Sequence, residues 1–196
     1  MIEQLEGIDR SLVLAINSIH SSWLDEFMWL VSGKLIWFPF YLLLLFLFFK
    51  KSNIRLTFIF LLCAIAVVAL ADQLSVHLFK NVFERYRPSH HALLTDKLHF
   101  YQLQDGNFYK GGMFGFVSSH AANFFGICSF AFLALKDMYS KIGWILFPVA
   151  ILVCFSRVYL GVHYVTDIVM GGMLGTLLAI VVYKMIFIRI IEKYKN

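Results

Sequence analysis

The stretch Ser156-Arg157-Val158-Tyr159-Leu160-Gly161-Val162-His163-Tyr164-Val165-Thr166-Asp167 joins two apolar runs, residues 142–155 and 168–183, and places an arginine, a histidine and an aspartate in the junction. His163 and Asp167 stand four residues apart, which on a helix is one face. A carboxylate so placed accepts a hydrogen bond from one ring nitrogen. That fixes the tautomer and raises the basicity of the other nitrogen, as a nucleophilic histidine requires. Arg157 adds a permanent cation whose fork of donors suits phosphate. Read alone, the segment also fits an arginine at a membrane boundary with a His and an Asp beside it by chance. Against that, ionisable groups in apolar spans are costly and mark functional sites.

Two further stretches carry similar chemistry. In Lys80-Asn81-Val82-Phe83-Glu84-Arg85-Tyr86-Arg87-Pro88, Lys80 and Arg87 are seven apart, about two helical turns, so both can point into one site. Pro88 disfavours helix at Arg87 and turns the chain out. Gly115-Phe116-Val117-Ser118-Ser119-His120 opens another apolar run, and free N–H groups at a helix start favour an anion. Ser118 and Ser119 add hydroxyl donors there, and His120 a proton carrier. In isolation each stretch has a structural alternative: basic side chains snorkelling at a helix end, and a serine N-cap followed by a satisfied histidine. Asp72, eight residues before Lys80, reads either as a partner for a motif cation or as a polar contact between helices. His90, His91 and His99 lack a nearby carboxylate or cysteine cluster with ligand spacing and read as exposed loop histidines, not a metal site.

The elements that must position these residues are membrane spans. Of 196 residues, 60% are hydrophobic and 15% charged, with 21 phenylalanines and a mean hydropathy of +0.76. That fits an integral membrane protein of one domain, residues 1–196. The net charge of +5 comes from lysines and arginines lying between apolar runs, so it reads as a topology signal and not as a nucleic-acid surface. Cys63, Cys128 and Cys154 lie within apolar runs and read as core or lipid-facing residues without a disulfide framework. Glu3, Glu6 and Asp9 argue against a cleaved signal peptide.

Residues 2–19 repeat Ile2, Leu5, Ile8, Leu12, Ala15/Ile16 and Ile19 at helical spacing. They predict an amphipathic helix, either on the membrane surface or packed on the bundle, without chemistry of its own. Five spans follow. The first lies within residues 27–49, starting before Lys34 or kinking at Pro39. The second covers about 56–79, the third 118–135, the fourth 142–156 and the fifth 163–187. Gly171, Gly172 and Gly175 in the fifth allow close helix packing. A polar loop, roughly 81–115, separates the second span from the third, and loops of that length are often functional. With five crossings, Lys50, Lys51, Arg55, Lys136, Lys141, Lys184, Arg189, Lys193 and Lys195 share one side, opposed only by Asp137 and Glu192. The positive-inside rule makes that side cytoplasmic. Lys80, His120, Arg157 and His163 then all fall at the outer edge of the bilayer.

Together the three stretches resemble the signature of the type 2 phosphatidic acid phosphatase superfamily of membrane lipid phosphatases: K-x6-R-P, then P-S-G-H, then S-R-x5-H-x3-D. The first motif is intact as Lys80…Arg87-Pro88 and the third as Ser156-Arg157…His163…Asp167. In the middle motif Val117 stands for the proline and Ser119 for the glycine, while Ser118 and His120 remain. The resemblance spans about residues 55–185. It implies an all-α polytopic helix bundle that hydrolyses a lipid phosphate monoester or diphosphate without metal or other cofactor. By the same resemblance His163 would attack phosphorus and form a phosphohistidine, Asp167 would orient it, and His120 would protonate the leaving oxygen and later activate water. Lys80, Arg87, Arg157, Ser118 and the backbone around Ser119 would hold the phosphoryl oxygens. Implied substrates are undecaprenyl diphosphate, phosphatidylglycerol phosphate, phosphatidic acid or lipid A phosphate, in a bacterial inner membrane with the site facing outward. A phosphotransferase using the same intermediate, and a non-catalytic lipid-phosphate-binding protein, are the alternatives. The sequence is silent on oligomeric state.

Overall fold

The computed structural model describes residues 2–195, and among these the regular structure is all helical, with only two isolated β-bridges, Tyr86–Phe114 and Gln102–Phe108. Helix α1 is Ile2–Asn17 and α2 is Ser22–Ser32. A 3-10 turn, Leu35–Trp37, leads into α3, Phe38–Lys51. Helix α4, Ile54–Leu74, continues through a π-helical segment, Ser75–Lys80, into a last turn α5, Asn81–Phe83. After the long loop come α6, Ser119–Leu135, α7, Gly143–Tyr159, and α8, Val165–Val182. A second π-helical segment, Tyr183–Phe187, joins α8 to α9, Ile188–Lys195.

Two continuous helical stretches, Ile54–Phe83 and Val165–Tyr194, are each 30 residues and apolar enough to cross a bilayer. Helix α2 and the stretch Leu35–Lys51 qualify together, bent by 69°. The bend falls at Gly33 and Lys34, not at Pro39, because Pro39 sits in the first turn of α3, where its missing N–H costs nothing. Helices α6 and α7 are apolar but only 17 residues each, about 25 Å.

Inside a bilayer the lipid tails are as apolar as the core, so close packing replaces hydrophobic exclusion as the adhesive. The core follows that rule. Phe48 stacks on Phe60 at 4.6 Å between ring centres, Phe60 meets Phe130 at 5.3 Å, and Phe130 meets Phe187 at 5.3 Å. Helices α6 and α8 approach most tightly. A Cβ on Gly175 would lie 2.0 Å from the Ala122 carbonyl oxygen, and one on Gly171 would lie 2.5 Å from that of Ser118. The glycines of the fifth span therefore do what their spacing predicts. The three cysteines are free and buried.

Of the two readings of helix α1, the structure shows the one packed on the bundle. It packs on the ends of α7 and α8 with Val13 fully buried, and it also buries two polar side chains, Asp9 and Asn17. Asn17 donates from Nδ2 to the carbonyls of His99 and Tyr159, both at 2.8 Å, and accepts from His99 N–H at 2.8 Å. One side chain thus ties the first helix, the long loop and the end of α7 together.

Candidate active site

The α7–α8 corner is built by its own backbone. Val162 N–H donates to Arg157 C=O at 3.2 Å and Gly161 N–H to Val158 C=O at 2.9 Å, with Gly161 at φ +68°, a left-handed turn that glycine makes without strain. Tyr164 caps α8, so His163 lies in the turn ahead of the helix and not on its face. The expected pairing with Asp167 is nonetheless present. Asp167 is the third residue of α8; its Oδ2 accepts from Tyr164 N–H at 3.0 Å and lies 3.3 Å from His163 Nδ1. Both side chains are buried, at 1% and 0% exposure, so no water competes for that contact.

Lys80 and Arg87 reach the same region by a route the helical spacing does not describe. The helix ends at Phe83, and Glu84 at φ 46° takes the left-handed conformation that terminates it. Arg87 is extended, and its N–H bonds Met113 C=O at 3.0 Å. Its guanidinium donates to Phe114 C=O at 3.2 Å, to Val162 C=O at 2.9 Å and to His163 Nε2 at 2.9 Å. Gly115 makes room for this: a Cβ there would lie 3.0 Å from the Arg87 side chain and 3.1 Å from Asp167 Oδ2. Burial, and after it the facing Arg157, bring the Arg87 pKa down to about 10. Arg87 can only donate, so His163 presents its Nε2 lone pair to the guanidinium and carries its ring proton on Nδ1, toward Asp167, as a neutral imidazole does.

The middle stretch enters beside them. Ser118 N–H donates to Asp167 C=O at 3.0 Å, which fastens the start of α6 to the start of α8. Ser118 Oγ accepts from Ala121 N–H at 3.4 Å as the N-cap, and Lys80 Nζ donates to Ser119 Oγ at 2.6 Å. Arg157 donates to Tyr109 Oη at 2.8 Å and to Ser32 Oγ, while its buried Nε has no partner among the described residues. Arg157 and His120 line a cavity of about 410 Å³ whose mouth is formed at the α2–α3 bend by Lys34 with exposed Leu30, Leu35 and Ile36. A polar floor under an apolar rim suits a molecule with an anionic head and a lipid tail.

The residues singled out in the three stretches thus gather on the loop-side ends of α4, α6, α7 and α8. Others do not join them. Asp72 is exposed on α4 and makes no side-chain ion pair among the described residues. Of the loop histidines only His90 is exposed. His91 is half-buried, and half-buried His99 bonds Asp25 at 2.8 Å and stacks on His20 at 3.9 Å. Among the described residues no group of three His, Cys, Asp or Glu side chains is placed to hold a metal ion. Four residues at the site were not singled out by sequence: Tyr109 and Ser32, which hold Arg157, Arg85, which holds Asp167, and Asp9, which holds Arg85.

The chain is similar in sequence and fold to known proteins. The chain matches the PAP2 superfamily over residues 60–191. It is 34% identical over 184 residues to a lipid A 4'-phosphatase of Porphyromonas gingivalis, covering 93% of this chain and 75% of that protein. A lipid A 4'-phosphatase of Bacteroides thetaiotaomicron is 33% identical over 176 residues, covering 89% and 75%. The transmembrane PAP2-type phosphatidylglycerolphosphate phosphatase of Bacillus subtilis superposes with a TM-score of 0.68 at 25% identity, over 93% of this chain and 86% of that one. Aquifex aeolicus LpxE shares the fold, with a TM-score of 0.58 at 24% identity over 89% and 93%. With the family matched across most of its length, the chain belongs to the PAP2 superfamily and is a membrane enzyme of its phosphatase class.

Proposed function

We propose that this enzyme removes a phosphate from a lipid head group through a phosphohistidine on His163. The observation that carries the reading is the contact of the neutral His163 Nε2 with the Arg87 guanidinium, 2.9 Å away, while Asp167 holds Nδ1 from behind. A substrate phosphoryl oxygen would take over the Arg87 donor and free the Nε2 lone pair to attack phosphorus. The P–O bond to the lipid breaks, His120 protonates the leaving oxygen, and the same imidazole then takes a proton from the water that cleaves the P–N bond. Arg87, Lys80, Arg157, Ser118, and the N–H groups of Ser119 and His120 at the start of α6 supply the donors for three oxygens.

Among the lipid phosphates considered, the phosphate monoester of lipid A is favoured, because two relatives at 33–34% identity carry that activity in their names. The test is inorganic phosphate release by the purified protein from lipid A, phosphatidylglycerol phosphate, phosphatidic acid and undecaprenyl diphosphate. Fastest release from lipid A is expected, with a rate unchanged by a metal chelator. Phosphate transferred to a second lipid in place of release identifies a phosphotransferase. Binding of these lipids without turnover of any leaves only a lipid-phosphate-binding protein.

The same reading includes a single domain, five crossings and an outward-facing site. Helices α6 and α7 fall at the short end of what a bilayer requires, and the α2–α3 pair makes the remaining crossing. The native cysteines are buried, so labelling of the wild type is expected to be low. A cysteine at Asn107 in the loop should then react with an impermeant maleimide in intact cells, and one at Asp137 only after lysis. The reverse pattern would put the site in the cytoplasm.

A further inference from the structure

We propose that Arg85, anchored by Asp9 of the N-terminal helix, is a positioning residue that presents Asp167 to His163; this rests on His163 being the nucleophile. Arg85 lies inside the first motif but at one of its variable positions. One guanidinium nitrogen donates to Asp167 Oδ1 and to Thr166 Oγ1, both at 2.7 Å, and the other to Asp9 Oδ2 at 2.9 Å. Asp9 is 2% exposed; its Oδ1 accepts from Thr166 N–H at 3.1 Å, and the Thr166 hydroxyl donates to it as well. The Arg85 guanidinium also lies over the Tyr164 ring, 4.1 Å from its centre. The turn that carries His163 is thereby gripped from residue 164 to residue 167.

The division of labour on Asp167 gives the grip its function. A carboxylate closed off from water needs a counter-charge close by. The three phosphate-site cations are occupied elsewhere: Lys80 on Ser119, Arg87 on His163 and two carbonyls, Arg157 on Ser32 and Tyr109. Among the described residues Arg85 alone among lysines and arginines pairs with Asp167. With Oδ1 held by Arg85, Oδ2 is left facing Tyr164 N–H and His163 Nδ1. Without Arg85 the carboxylate is held by Tyr164 N–H alone and can turn, or take a proton and become a weaker acceptor for Nδ1–H, and the tautomer of His163 is less firmly fixed. Arg85 borders a surface depression with Glu6, Arg10, Tyr86 and His91, none of them a phosphate-site candidate, so it acts through Asp167 and not by touching substrate. Burial opposes its charge, but Asp167 and Asp9 outweigh it and raise the Arg85 pKa, which keeps the cation permanent.

The test is steady-state kinetics on the purified full chain for Arg85→Ala, Arg85→Lys, Asp9→Asn, Arg85→Ala/Asp9→Asn and His163→Ala. Arg85→Ala should lower kcat by about 10²-fold with KM within about threefold, the pattern of a misoriented catalytic group. Arg85→Lys should recover most of the loss. Asp9→Asn should lower kcat by roughly tenfold alone and by nothing further when added to Arg85→Ala, since both act along one path. A kcat for Arg85→Ala within twofold of wild type overturns the proposal. So does a loss confined to KM, or multiplicative losses in the double variant. If Arg85→Ala does not fold, Asp9→Asn decides: unchanged kcat in a folded protein overturns the proposal. Turnover by His163→Ala would show that the phosphohistidine reading failed, separately from the role of Arg85.

Discussion

Replacing His163 by alanine should abolish phosphate release, a loss on the order of 10⁴–10⁶ in rate, as for removal of an enzymatic nucleophile elsewhere. The protein should remain folded. The corner that carries His163 is shaped by the backbone bonds of Gly161 and Val162 and by the capping of α8, none of which needs the imidazole. Arg87 keeps two carbonyl acceptors, Phe114 and Val162, and Asp167 keeps Arg85 and Tyr164 N–H. The wild type should also trap an acid-labile phosphoryl label that the variant lacks. A folded His163→Ala protein with activity within tenfold of wild type would sink the nucleophile assignment.

Gly175→Ala should be the most damaging single methyl group in the molecule. Its Cβ would lie 2.0 Å from the Ala122 oxygen and 2.8 Å from both Ala122 C and Gly126 N, all backbone atoms of α6 that cannot swing aside. The two helices must part, at a cost of roughly 3 kcal/mol or more. They must part near the end where α6 presents Ser119 and His120 and α8 presents Asp167. Thermal stability in detergent and kcat should therefore fall together. Gly172→Ala is the control: the three atoms nearest its Cβ would all belong to the Phe125 ring, the first at 3.1 Å, a side chain able to yield, and it should cost about 1 kcal/mol. Equal melting temperatures for the two variants would refute this account of the interface.

How far the sequence could be read depended on where each interaction is encoded. The apolar helices and the glycine seam were legible because they are periodic and local: Gly171, Gly172 and Gly175 announce a close helix contact from one segment. That Lys80, Arg87, His120, Arg157 and His163 would lie near one another was legible from the fixed spacings within the three stretches, and the structure gathers them at the loop-side ends of the helices. The local geometry was less so. The seven-residue spacing of Lys80 and Arg87 suggested one helix face, yet Glu84 breaks the helix between them. Likewise His163 lies ahead of α8 and meets Asp167 around a cap. Asp9 was hidden altogether, because its partners Arg85 and Thr166 lie 76 and 157 residues away and the amphipathic pattern of α1 explains the helix without it. Tyr109 and Ser32 were hidden for the same reason, being 48 and 125 residues from Arg157.

The elbow between α2 and α3 sets the terms on which such an enzyme meets its substrate. Exposed Leu30, Leu35 and Ile36 line the cavity at this elbow, which would let acyl tails stay among their neighbours while only the head turns inward. Encounter then becomes a two-dimensional event. Turnover would follow the mole fraction of substrate in the surrounding leaflet, and diluting the membrane with inert lipid would slow it even when the total amount of substrate per volume is held constant.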